Sequence, residues 1–215
     1  MKNLFVLLLA ASLVLGLAGC GGEEGRKGEG SESVSSQAGP SSATPSGTPF
    51  TPSQPMKDDV ISFIESFPQS FDTTNELDTY SICWFSFWQI WEAGLASSQG
   101  DGAYFISSTQ LNEYVASHFG IHDLAYPPDA MPRYQPDRDG YDFYPIGEGS
   151  MYEVEIEAAS MKQDLVSFDV AVTRQGMSAS DPATEPVKRL RYLFQLQTES
   201  GGNQILQAVR AVPIV

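Results

Sequence analysis

Four runs in the last third of the chain alternate between apolar and polar residues. Tyr152, Val154, Ile156 and Ala158 share one face of the first; Val166, Phe168, Val170 and Val172 share one face of the second. Leu190, Tyr192, Phe194 and Leu196 do so in the third, and the fourth covers residues 205–212. A period of two belongs to the β-strand, where successive side chains point to opposite faces. One face must then pack while the other meets water, which marks an antiparallel sheet rather than a parallel one buried on both sides. Turn-forming residues separate the runs: Lys162-Gln163-Asp164, residues 176–186 and Gly201-Gly202-Asn203. The runs predict a four-stranded antiparallel meander whose apolar face needs a second layer.

The preceding hundred or so residues supply that layer. Val60, Phe63, Ile64 and Phe67 recur at helical spacing between Pro55 and Pro68. Asp58 and Asp59 fall in the first turn, where the helix dipole favours negative charge. Thr73-x-x-Glu76 has the form of a capping box and predicts a longer helix reaching Ala96. Its stripe of Tyr80, Trp84, Phe87, Trp88, Trp91 and Leu95 is widened by Ile82, Cys83, Phe85 and Ile90. A helix apolar on most sides is a core helix; the aromatic run over residues 80–88 would also suit a strand. Gly100-Asp101-Gly102 marks a turn and Tyr104-Phe105-Ile106 a short strand. Ser107-x-x-Gln110 opens another helix, with Leu111, Tyr114, Val115 and Phe119 inward and Gly120 as its stop.

From residue 121 to 149 the periodicity disappears. Pro127, Pro128, Pro132, Pro136 and Pro145 interrupt it, and Tyr126, Tyr134, Tyr141, Phe143 and Tyr144 are interleaved with acids. Irregular segments of this length inside a domain are usually functional or disordered, and Tyr-rich loops give contact area at low entropic cost. The whole order, two helices, a short strand, a helix and four strands, is α+β. The head, residues 56–215, is long enough for one hydrophobic core.

Residues 1–19 have a different character. Lys2 precedes an uncharged apolar run over residues 4–17, and Gly16, Ala18 and Gly19 put small residues before Cys20. That is the layout of a secretory signal, and its apolar run is too short for a comfortable membrane span. Leu17-Ala18-Gly19-Cys20 resembles the lipobox of bacterial lipoproteins. The resemblance implies cleavage before Cys20, lipid on its sulfur and often on the new amine, and a place on the extracytoplasmic face of a bacterial cell membrane. Each buried CH₂ contributes about 0.8 kcal/mol, so one acyl chain binds marginally and two or three hold stably. Residues 20–55 read as a tether of Gly, Ser, Pro, Thr and Glu, too poor in large apolar residues to offset its ordering entropy. Its mean span would be on the order of 30 Å, and about 110 Å when pulled out.

A net charge of −15 and the lack of a basic stripe argue against nucleic acid as a partner. The expected partners are the membrane, through the lipid, and a protein or small-molecule ligand. With Cys20 lipidated, Cys83 has no disulfide partner and is expected to be buried. No phosphate loop, dinucleotide fingerprint or nucleophile elbow occurs, so no cofactor is expected.

The element order is similar to that of the nuclear transport factor 2 superfamily. The similarity implies N-terminal helices packed on a curved, four-stranded, cone-like sheet that often encloses a pocket; a cystatin-like helix-plus-sheet arrangement is the alternative. That superfamily's fold serves enzymes, binding modules and assembly domains, so architecture implies no activity.

The candidate binding residues are Trp84, Trp88 and Trp91, as the lining of an apolar pocket, and Tyr134, Tyr141 and Tyr144, as a contact loop. No catalytic residue is assigned. Asp137, Asp139 and Asp142, with Glu148 at the twelfth position, partly match a calcium loop, but Gly140 stands fourth rather than sixth and Tyr141 replaces an oxygen ligand. His118 and His122 have the i, i+4 spacing of a metal pair, interrupted by Gly120; in the last helical turn His118 also suits the dipole as a cation. His122-Asp123 is a candidate acid–base pair. Glu153, Glu155 and Glu157 share the outward face of one strand, where Arg189 and Arg191 would balance them across the sheet. The expectation is a non-enzymatic binding head; an enzyme with a pocket between helices and sheet, and a dimerisation module, are the alternatives.

Overall fold

The computed structural model describes residues 47–126, 132–147, 150–175 and 187–214. The leader, Cys20, the tether up to residue 46, Pro127, Pro128, Glu148 and the turn over residues 176–186 lie outside the described residues. Among the described residues, three α-helices and two antiparallel sheets make an α+β fold, and no helix is long and apolar enough to cross a membrane.

Helix α1, Gln54–Ser66, begins where the Ser53 hydroxyl accepts the Met56 N–H at 3.4 Å and Pro55 occupies the first turn. Ordered elements therefore start ahead of Met56, where the sequence places the head. Val60, Phe63 and Ile64 face inward. Helix α2, Thr79–Glu92, does not begin with a capping box at Thr73. Thr73 makes no capping bond, Thr74–Glu76 is one 3₁₀ turn, and the Glu76 carboxylate reaches back to the Asp72 N–H at 3.1 Å. The cap is Asp78, whose carboxylate accepts the Ser81 N–H at 2.8 Å. The helix stops short of Ala96, with Gly94 in the left-handed region (φ +70°) just beyond it. Helix α3, Ser108–Phe119, has the expected box. The Gln110 N–H donates to Ser107 Oγ at 3.1 Å and the Ser107 N–H to Gln110 Oε1 at 3.0 Å. Gly120 ends it at φ +67°.

The four alternating runs are strands β6 (Tyr152–Lys162), β7 (Leu165–Arg174), β8 (Lys188–Thr198) and β9 (Gln204–Pro213), paired in sequence as an antiparallel meander. The sheet has one strand more than expected: β1, Thr48–Pro49, pairs with Met161 and Ser160 at the outer end of β6. A bulge between Ile156 and Ala158 also shifts the packed face of β6. Ala158 turns out to solvent, and Ala159 and Met161 take the inner side.

A second sheet, not foreseen, has the order β2-β3-β5-β4. It comprises β2 (Ser97–Gly100), β3 (Ala103–Ser107), β4 (Arg133–Gln135) and β5 (Gly140–Phe143). The segment expected to be irregular thus holds two strands joined by a 3₁₀ turn at Pro136–Arg138. Strands of three and four residues are too short to show a period. A Cβ on Gly140 would stand 2.6 Å from the Ile106 carbonyl oxygen, so only glycine lets β3 and β5 approach this closely.

Phe63 stands at the centre of the core, its ring 4.9–6.5 Å from those of Phe67, Phe71, Phe85, Phe119, Tyr192 and Phe194. Full burial of such a side chain contributes about 1.5–3 kcal/mol. The Tyr192 hydroxyl, fully buried, donates to the Phe67 carbonyl at 2.7 Å and ties β8 to the end of α1.

Candidate functional site

A pocket of about 210 Å³ opens where α1, α2 and α3 meet the β8–β9 hairpin. Val60, Phe63, Phe85, Phe194 and Leu206 form its apolar wall, and Asp59, Gln89, Tyr114, His118 and Gln204 supply its polar groups. Helical spacing brings these together. Asp59 precedes the inward Val60 and Phe63 by one and four residues. Tyr114 and His118 stand four apart on α3, with their rings stacked at 3.8 Å and 9°.

The ring of His118 is held in one orientation. Its Nδ1 lies 2.9 Å from the Tyr114 carbonyl oxygen and 2.8 Å from Ser117 Oγ. A carbonyl only accepts, so Nδ1 carries the proton of the neutral ring and Nε2 is left as an acceptor. Partial burial lowers the His118 pKa, against the opposing pull of the Tyr114 carbonyl and the Glu199 charge. The imidazole is therefore neutral near pH 7, and the reading of His118 as a cation at the helix end does not hold. Asp59 sits at the pocket mouth, open to solvent on its outer side. The apolar wall behind it, and then the Asp58 charge, raise its pKa. Burial and the Asp59 charge raise the Tyr114 phenol. Gln89 donates to Ser62 Oγ at 3.0 Å, which fixes its amide at the rim.

Such a cup has room for a small, mainly apolar molecule with a polar end. It exceeds the roughly 150 Å³ of a cavity that takes benzene and falls below the roughly 300–1,000 Å³ of drug-sized sites.

No family model, curated protein or solved structure matches this chain.

The tryptophans expected to line the pocket are elsewhere. Trp84 and Trp88 pack on Phe143 of β5 at 5.6 and 6.1 Å, and Trp91 packs on Tyr104 of β3 at 5.8 Å. They are half-buried on the face of α2 that meets the second sheet, while Phe85 and Gln89 face the pocket. The three tyrosines do not form one contact loop either. Tyr141 is core, packed on Phe87 and Tyr126. Tyr134 is partly buried and donates to Asp139 Oδ1 at 2.8 Å. Tyr144 alone is largely exposed.

The acidic loop is engaged internally. Asp139 accepts from Tyr134, Asp142 pairs with Arg138 at 3.2 Å, and Asp137 lies in the 3₁₀ turn. Among the described residues no three His, Cys, Asp or Glu side chains are grouped to hold a metal. His122 and Asp123 are exposed beyond the end of α3, so His122 does not share a helical face with His118. Cys83 is fully buried, and burial, with a smaller contribution from Asp78, pushes its thiol up to about 12. It stays protonated, the opposite of a reactive cysteine. On the outer sheet face Glu157 pairs with Arg189 at 3.0 Å, and Arg191 pairs with Asp169 at 2.6 Å. Little in the residues themselves signals the pocket, because Asp59 and His118 each have an ordinary explanation at a helix end. The Tyr114/His118 pair at i, i+4 was the one available signal.

Proposed function

We propose that the chain is a bacterial lipoprotein, held by acyl chains on Cys20 at the extracytoplasmic face, whose head binds a small, mainly apolar molecule without transforming it. The lipobox-like Leu17-Ala18-Gly19-Cys20 supports the anchor. The observation that carries the binding role is the pocket of about 210 Å³ with a neutral His118 and Asp59 at its polar side. We read the head as the cone-like arrangement of the nuclear transport factor 2 superfamily. Three helices rather than one, and bulges in both the β6–β7 and β8–β9 pairs that bend the strands, support that reading over a cystatin-like one. The charged outer sheet face, with Glu153, Asp169, Arg189 and Arg191, gives little support to an apolar dimer contact.

Two measurements test the proposal. Labelled palmitate should enter the wild-type chain expressed in a bacterium and be absent from Cys20→Ser. A set of single-ring phenols and ketones should raise the melting temperature of the wild type and not of Leu206→Trp, which fills the pocket. A ligand at a hundred times its Kd stabilises by about 2.7 kcal/mol, a readily measured shift. Equal shifts in both proteins would place binding elsewhere. A second reading, acid–base catalysis, rests on Asp59 and His118 having pKa values displaced in one pocket. Turnover of a bound phenol or ketone that is lost in Asp59→Asn, with binding retained, would favour it.

A further inference from the structure

We infer that the open half of the β6 edge is a docking site for an extended basic segment of another protein, which joins the sheet as an added strand. The inference is independent of the pocket. Strand β1 covers only the far end of β6: Thr48 pairs with Met161, Pro49 with Ser160, and the last bond runs from the Phe50 N–H to the Ala159 carbonyl at 3.0 Å. The chain then turns away through Pro52 into α1. Residues 152–158 are left without a strand partner on that side among the described residues, about 23 Å of edge at the usual rise per residue. An uncovered edge carries unpaired N–H and C=O groups, which a second chain can satisfy.

The edge lies in a groove of about 570 Å³ between β6 and α1. Phe50, Ile61, Val154 and Ile156 give it apolar surface, Glu153, Glu155 and Glu157 give it acid, and among the described residues Lys57 is the one basic residue in its lining. A groove between a strand edge and a helix suits strand addition, because backbone bonds hold the guest and pockets for alternate side chains select it. Alternation on β6 sets the selection. Val154 and Ile156 point inward and the three glutamates outward, so an added strand would place residues i, i+2 and i+4 beside the glutamates and its intervening residues beside the apolar floor. Glu157 already shares its charge with Arg189 and Glu153 accepts from Gln175, while among the described residues Glu155 makes no ion pair.

Charge decides against a second copy as the guest. Two β6 edges paired antiparallel about Glu155 would set Glu155 against its counterpart and Glu153 against Glu157. Like charges directly opposite destabilise a sheet, and each chain already carries −15. The fitting guest alternates Lys or Arg with Val, Ile or another apolar residue.

The test uses the full chain in neutral detergent at low ionic strength, with an end-capped, fluorescent seven-residue peptide alternating lysine and valine. Two controls share its charge: a peptide with the lysines and valines in separate blocks, and N-methyl versions that remove the N–H donors of one alternate set of residues or the other. The alternating peptide should bind about tenfold more tightly than the block peptide. One N-methyl set should lose about as much and the other little, because an added strand bonds through one set only. E153Q/E155Q/E157Q, with an unchanged circular dichroism spectrum, should weaken binding about tenfold, as should salt near 0.5 M. Equal affinity for alternating and block peptides, indifference to both N-methyl sets, no binding at low salt, or a chain dimer in sedimentation that the peptide disperses would each overturn the inference. The N-methyl comparison uses the wild-type chain and so does not depend on how the triple variant folds.

Discussion

His118 makes the pocket sensitive to pH near neutrality. Its neutral ring is stacked on Tyr114, bonded through Nδ1 to the Tyr114 carbonyl, and neighboured by Glu199, while Asp59 stands near Tyr114 across the pocket. Burial lowers the folded pKa below the unfolded value of about 6.5. The unfolded chain therefore binds the extra proton more readily. The contribution to stability is full above about pH 6.5 and is lost as pH falls from there through the lowered folded value. Asp59 and Glu65 act in the opposite sense at lower pH, since their raised pKa values mean that protonation relieves a cost of the folded state. The urea midpoint should fall between about pH 7.5 and 5.5 in the wild type, and fall less in His118→Gln. Parallel curves for the two proteins would show that the ring titrates as an exposed histidine does. None of this was legible from the residues alone. A histidine in a last helical turn reads as a cation until the packing around its ring is known.

The elements were legible in proportion to their length and to how uniquely their end signals can be used. Strands β6 to β9, with ten or eleven residues each, show their period plainly. Strands β4 and β5 are too short for that and are bounded by proline and glycine, which read as loop. Helices α1 and α3 are clear at both ends, whereas Thr73-x-x-Glu76 has the box pattern without its bonds and so predicts a start for α2 ahead of its true cap at Asp78. The apolar girdle of α2 identifies a core helix but does not say which side meets which sheet, so it does not reveal that Trp84, Trp88 and Trp91 pack on the second sheet rather than line the pocket. The caps can be tested directly. Ser107→Ala removes both hydroxyl bonds of the true box and should cost about 1 kcal/mol, while the exposed Thr73→Ala should stay within about 0.5 kcal/mol. Gly120→Ala should cost more than Ser107→Ala, because φ is +67°, a backbone conformation strained for alanine, and the Gln207 amide that bonds the Ala116 carbonyl would have to swing aside. Urea midpoints of the three variants measure the order. A loss at Thr73 as large as that at Ser107 would restore the sequence-based start of α2.

At the scale of the molecule, net charge and specific ion pairs pull in opposite directions. A charge of −15 repels itself more strongly in the compact state than in the unfolded chain. Against that stand Arg138–Asp142, Arg189–Glu157, Arg191–Asp169 and Arg210–Asp72 among the described residues. Three of these pairs have at least one side chain more than 40% exposed; only Arg191 and Asp169, at 15% and 25%, are both well covered. Exposed pairs contribute about 0–1 kcal/mol each, and salt screens them. Salt screens the general repulsion too, once the Debye length falls from about 30 Å at 0.01 M to well under 10 Å at 0.5 M. Because the repulsion is summed over a large excess of acids and most of the pairs among the described residues are exposed, screening should help the folded state more than it harms it. The melting temperature should therefore rise with sodium chloride between about 0.01 and 0.5 M, and Arg191→Gln should lower it at both ends of that range. A melting temperature that falls with salt would mean that the ion pairs, and not the net charge, dominate the electrostatics of the fold. The glutamates beside the open β6 edge would then be fixed parts of the sheet rather than charge awaiting a basic partner.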